Sequence, residues 1–186
     1  MDCFIQTPKF YIAIDIGVKH FAYCKVFNLG TQSLEDKQDD TSSISFNLIE
    51  IHKDNKINDL INFVNSNCCE ALALIIEQQV KNNVEAMIIQ NILMTICIIK
   101  NINYVLFNPK LKFNYIEGND VKLSYRQRKN KSIEYARTYL NKFHKEQNSK
   151  EFEKFDKKDD VADAIVMAVM YKLNMDKNKI KDVFKL

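Results

Sequence analysis

Ala71, Leu72, Ala73, Leu74, Ile75 and Ile76 follow one another without a polar residue and end at Glu77, and that run leaves few folds open. A strand with one wet face alternates apolar and polar residues, whereas a strand apolar at every position is covered on both faces. The sheet that contains Ala71–Ile76 therefore needs helices on both sides. Phe10–Ile16 reads as a second buried strand, and Phe21–Asn28 as its hairpin partner across a turn holding Gly17 and Lys19. Ser45–His52 alternates well enough for a third strand, and Tyr104–Asn108 is a short strand before Pro109. Ile57–Ser66 sets Ile57, Leu60, Ile61 and Val64 on one helical face, and Asn82–Lys100 is a long apolar helix. Asn28–Ser43 is a polar, acidic excursion. Ser132–Phe143 reads as an amphipathic helix, Lys145–Lys158 as a charged linker and Val161–Leu173 as the final helix. Hairpin-linked strands followed by alternating helix and strand predict one α/β layered domain over residues 1–186, with a mixed sheet.

Composition narrows the function. The longest apolar run, Ala86 to Ile99, contains Gln90, Asn91 and Thr95, and is too short and too polar to span a bilayer. The five cysteines are odd in number and form no CxxC pair, and no secretory signal opens the chain, so a reducing intracellular compartment is the simplest reading. His20, His52 and His144 are scattered, which disfavours zinc. The net charge of +3 identifies no partner by itself. Its distribution says more: Lys122, Arg126, Arg128, Lys129 and Lys131 crowd one stretch. Such a cluster neutralises phosphates, and the competing explanation is a solvated lysine-rich loop.

The chemistry lies in carboxylates that folding alone does not explain. Asp15 interrupts the apolar strand Tyr11–Ile16, and Glu77 ends the run Leu72–Ile76. A buried, ionised carboxylate costs several kcal/mol, on the order of what a whole domain has to spare, unless it is paired or bound to metal. In α/β sheets the carboxyl ends of strands are where sites are built. Asp160 and Asp163 stand three residues apart on one face of the last helix. Capping accounts for Asp159 or Asp160, but not for the deeper Asp163. Four carboxylates without histidine or cysteine select magnesium, with manganese as substitute, over zinc. Two such ions about 4 Å apart activate water and stabilise the leaving oxygen in phosphodiester hydrolysis.

These pieces resemble a known family. Ile12-Ala13-Ile14-Asp15-Ile16-Gly17 is similar to the first-strand motif of the RNase H-like fold, and Ile76-Glu77-Gln78-Gln79 to the second-acid motif of RuvC-type resolvases. Asp160-Val161-Ala162-Asp163-Ala164 resembles the paired aspartates that open their last helix. The order and the acidic excursion after the second strand are similar to the poxvirus branch of the Holliday junction resolvases. The resemblance implies an RNase H-like five-stranded mixed sheet flanked by helices. It also implies two Mg²⁺ ions on Asp15, Glu77, Asp160 and Asp163, cleavage of four-way DNA junctions, a homodimer, and work in the host cytoplasm. Lys131 is the lysine expected beside the scissile phosphate, and Lys122, Arg126, Arg128 and Lys129 are expected DNA contacts. The helix Asn82–Lys100 is apolar more widely than one core-facing stripe needs. Burial within the monomer and a dimer interface explain it about equally, and the resemblance favours the interface.

Two rivals stand beside this reading. Another RNase H-like nuclease, cutting RNA–DNA hybrids or single strands, would keep the acids and change the substrate. A non-catalytic junction-binding protein would keep the fold, although clustered negative charge suits phosphate binding poorly. Sugar kinases also begin with strand, Asp and Gly, but this chain lacks their Gly/Thr-rich phosphate turn and second repeat.

Overall fold

The computed structural model describes residues 9–27, 44–118, 122–144 and 146–184. The expected acidic excursion, Asn28–Ser43, lies outside them. The strands are β1 (Phe10–Ile16), β2 (His20–Phe27), β3 (Ile44–Glu50), β4 (Ala71–Glu77) and β5 (Tyr104–Phe107). They form one five-stranded sheet in the order β3-β2-β1-β4-β5. β1 pairs antiparallel with β2, and β2 with β3, while β1–β4 and β4–β5 are parallel. The β1–β2 turn is tight at Gly17, where a Cβ would run into the carbonyl oxygen of His20.

Side chains alternate across the sheet, and each face carries its own core. Ile12, Ile14, Leu74 and Ile76 are buried against α1 (Lys56–Asn67) and α2 (Val84–Ile99). Ala13, Ala22, Cys24 and Ile75 face the opposite layer. That layer contains α3 (Lys110–Ile116), α4 (Tyr125–Phe143), α5 (Glu146–Glu153), α6 (Lys158–Lys172) and α7 (Lys177–Phe184). The central member is α6, buried at every position from Val161 to Met170. Ala13 and Ala22 on the strands and Ala162, Ala164 and Ala168 on α6 let helix and sheet approach closely, and all five are fully buried.

Four elements differ from the sequence-based expectation. The fourth helix begins at Tyr125, seven residues before Ser132, because Ser124 and Gln127 form a reciprocal capping box. Most of the basic stretch is thus helix, not loop. α5 occupies the middle of the expected charged linker, held by Phe152, which is fully buried beside Phe46. α3 and α7 are additional, and Ile116, Ile180, Val183 and Phe184 bury their apolar sides in the α6 layer. Among the described residues no helix is long and apolar enough to cross a membrane.

Candidate active site

Strand parity decides where the first two acids go. Asp15 follows Ala13 by two positions and Glu77 follows Ile75 by two, so both share the face that packs on α6. The parallel register pairs Ile14 with Ile76, which sets Asp15 beside Glu77. On α6, Asp160 and Asp163 lie one helical turn apart near the N-terminus. The four acids line one cleft of about 310 Å³ at the end of the sheet. Two larger hollows, of about 790 and 530 Å³, lie against α5 and contain none of these acids.

Two lysines stand among the carboxylates. Lys112 of α3 brings Nζ to 2.7 Å from Asp163 Oδ1 and 3.4 Å from Glu77 Oε1. Lys129 of α4 brings Nζ to 3.0 Å from Asp160 Oδ1, 3.1 Å from Asp163 Oδ2 and 3.2 Å from Asp159 Oδ2. The Ser132 hydroxyl donates to Asp163 Oδ1 at 2.5 Å. Glu77 is held from its own loop: Gln79 Nε2 donates to Glu77 Oε2 at 3.2 Å, and the Gln79 backbone N–H donates to buried Gln90 of α2 at 2.7 Å.

The acids are electrostatically unlike. Burial, then the nearby charges of Glu77 and Asp163, push the Asp15 carboxyl well above the usual carboxylate range. Burial acts in the same direction on Asp163. There Lys112, Lys129 and the hydrogen bonds from Lys112 and Ser132 outweigh it and hold the group below its ordinary value. Asp160 is raised by burial in spite of Lys129. Burial alone would lower Lys112, but Asp163, Glu77 and Asp15 hold it above an ordinary lysine.

The structure brings Asp15, Glu77, Asp160 and Asp163 together, with Lys129 against three aspartates. Arg128 lines the same cleft, while Arg126 and Lys122 are exposed on and before the first turn of α4. Lys131, expected beside the reacting phosphate, faces elsewhere. Its Nζ is 3.0 Å from Glu117 and 3.5 Å from Glu134, and Lys129 stands against the acids instead. Sequence reasoning missed Lys112, Ser132 and Tyr125 as parts of the cleft, and Gln90 as the support behind Gln79. The Ser124-x-x-Gln127 capping signature would have placed Ser132 on the helix of Lys129. Nothing around Lys112 distinguishes it from a surface lysine.

Among the described residues no three His, Cys, Asp or Glu side chains are gathered closely enough to hold a metal ion as they stand. The donor set still suits a hard cation. It is all oxygen, its four carboxylates outnumber the two ammonium groups, and cationic nitrogens already lie between the acids.

Over residues 9–175 the chain matches the family described as Poxvirus A22 protein. No curated protein matches it. Among solved structures it is similar to RuvC of Thermus thermophilus, with a TM-score of 0.59 at 11% identity, covering 89% of this chain and 96% of that one. T. thermophilus RuvC in complex with Holliday junction substrate gives a TM-score of 0.56 at 11% identity, covering 90% and 94%. The five-stranded mixed sheet with helices on both faces is thus an RNase H-like fold.

Proposed function

The chain belongs to the poxvirus A22 protein family, and we propose that it is a nuclease that resolves Holliday junctions in viral DNA concatemers by paired, symmetric nicks. One observation carries this: acids from β1, β4 and α6 converge in a single cleft whose wall, the start of α4, is basic. The fold shared with RuvC, one of whose structures holds a Holliday junction, supports the choice of substrate.

Asp15, Glu77, Asp160 and Asp163 would hold two Mg²⁺ ions, for which Mn²⁺ can substitute. When bound, the ions supply water activation and charge neutralisation at phosphorus. The chain's own groups do the rest. Gln79 and Gln90 orient Glu77, and Ser132 orients Asp163. Lys112 and Lys129 balance the acids before DNA arrives and offer cationic charge to the phosphate afterwards. Lys122, Arg126, Arg128 and Lys131 take flanking phosphates, which fixes the strand without reading its sequence. Water attacks phosphorus directly, and no residue forms a covalent intermediate.

Two nicks placed symmetrically across a junction need two sites related by a two-fold axis. α2 is suited to join them. Val84, Ile88, Ile98 and Ile99 share one side of that helix and are exposed, beyond what the monomer's core covers. The protein works on viral DNA in the host cytoplasm in this reading.

The test uses end-labelled four-way junction and linear duplex, in Mg²⁺ or EDTA, with Asp160→Asn as control. Paired, metal-dependent nicks confined to the junction are expected, and the control should abolish them. Equal cutting of linear duplex or RNA–DNA hybrid would keep the chemistry and overturn the substrate. Tight junction binding without cutting in either Mg²⁺ or Mn²⁺ would favour a non-catalytic protein.

A further inference from the structure

Tyr125 lines the acidic cleft, yet nothing in the acid chemistry uses it. It is the first residue of α4 and is 69% exposed. The other aromatic side chain on the cleft wall, Phe113, is half-buried and packs against the core, its ring 6.5 Å from Tyr135. An exposed ring at the rim of a cleft is an open stacking surface.

Its position is fixed on two sides. The reciprocal hydrogen bonds of Ser124 and Gln127 set the backbone of that first turn. Lys129 Nζ lies 6.0 Å from the ring centroid and 3.0 Å from Asp160 Oδ1. The ring therefore stands within three nucleotide steps of Asp160 and Asp163, at about 3.4 Å per step along a strand. Arg126 and Arg128, both exposed, follow it on the same turn and suit the adjoining phosphates.

We infer that Tyr125 is a base-stacking residue, whose ring takes the open face of a nucleobase at the branch point beside the strand held over the acids. The inference rests on the junction-resolving reading above. In continuous duplex each base is covered by its neighbours, and the ring finds no partner. At a branch point the stack is interrupted and a face is free. Stacking tolerates any base, because every base has a π-face. Tyr125 thus selects branched from continuous DNA without selecting sequence.

Full-length protein is titrated in EDTA, so that strands stay whole, with a four-way junction carrying 2-aminopurine beside the branch point and with a matched linear duplex. Wild type, Tyr125→Phe and Tyr125→Trp should all change the 2-aminopurine fluorescence on binding. Tyr125→Ala should lose that change and roughly 5- to 150-fold of junction affinity, the size of one base–aromatic stack. Its affinity for linear duplex should hold, and its thermal melt should match wild type. A Tyr125→Ala protein with the wild-type fluorescence change and the wild-type junction preference overturns the inference. So does an equal loss of affinity on both DNAs, which would make the ring a general contact. Failure of the wild type to nick the junction in Mg²⁺ defeats the nuclease reading alone, because this binding measurement does not depend on cutting.

Discussion

Lys112 and Asp163, from helices α3 and α6, meet at 2.7 Å with both side chains almost wholly out of water. The lysine thereby stands among the acids, pairing with Glu77 and sharing Asp163 with Lys129.

Removing that partner should make the fold depend on metal. Lys112→Met takes from Glu77 its lysine and leaves Asp163 with Lys129 and Ser132, and breaking a buried ion pair from one side costs about 3–5 kcal/mol. Denaturant melts should show a loss of that order in EDTA, with a clear part of it restored by millimolar Mg²⁺. A variant as stable as wild type in EDTA would mean that the lysine contributes no net pairing.

Asp15 predicts the opposite trade. Its folded pKa is raised, so its contribution to stability is fully present below the unfolded value of about 3.9 and is lost as pH rises toward the folded value. Asp15→Asn should therefore be more stable than wild type in EDTA, by a margin that opens above about pH 4. For a chain of this size each 1 kcal/mol raises Tm by roughly 2–4 °C. The same variant should lose nuclease activity. Thermal melts between pH 4 and 8 check the sign, and a margin that shrinks with rising pH would contradict it.

Asp163, held low by Lys112 and Lys129, behaves in the reverse way. Its contribution is complete above about pH 4 and disappears as pH falls through its folded value. Asp163→Asn should therefore destabilise at neutral pH and matter progressively less on acidification. Urea titrations at pH 7 and pH 3 measure the difference.

Arg126 and Arg128 are exposed and, unlike Lys129, make no ion pair with the cleft aspartates among the described residues. Replacing both by alanine should weaken junction binding and reduce the slope of log K against log salt by about 0.9 for each phosphate that is no longer neutralised. Binding measured between 50 and 200 mM salt reads that slope. An unchanged slope would return these arginines to the solvent.

The outer side of α2 gives a prediction about assembly. Ile88→Glu combined with Ile99→Glu alters exposed positions, so the melt should stay close to wild type. Sedimentation should shift from dimer to monomer, and paired nicks on a junction should become single, uncoupled ones. A wild-type protein that sediments as a monomer with junction bound would remove the interface.

The sheet was legible because its signals are local. Alternation marks β3, an uninterrupted apolar run marks β4, and parity alone sets Asp15 and Glu77 on one face. The acids were legible because a carboxylate inside an apolar strand has no folding purpose. The lysines were not. Lys112 is one of many lysines, and its burial exists only because α3 folds back over the cleft. α5 was hidden for a related reason: a polar helix anchored by Phe152 has too little periodicity to separate from a linker.

Asp15 and Asp163 lie far apart in sequence, and parity and packing bring them to the same cleft. No growing chain can assemble this site until α6 has left the ribosome and docked on β1. A chain made only as far as β4 therefore carries two of the four acids proposed to hold the metal ions. Competence waits on the docking of α6 against the sheet.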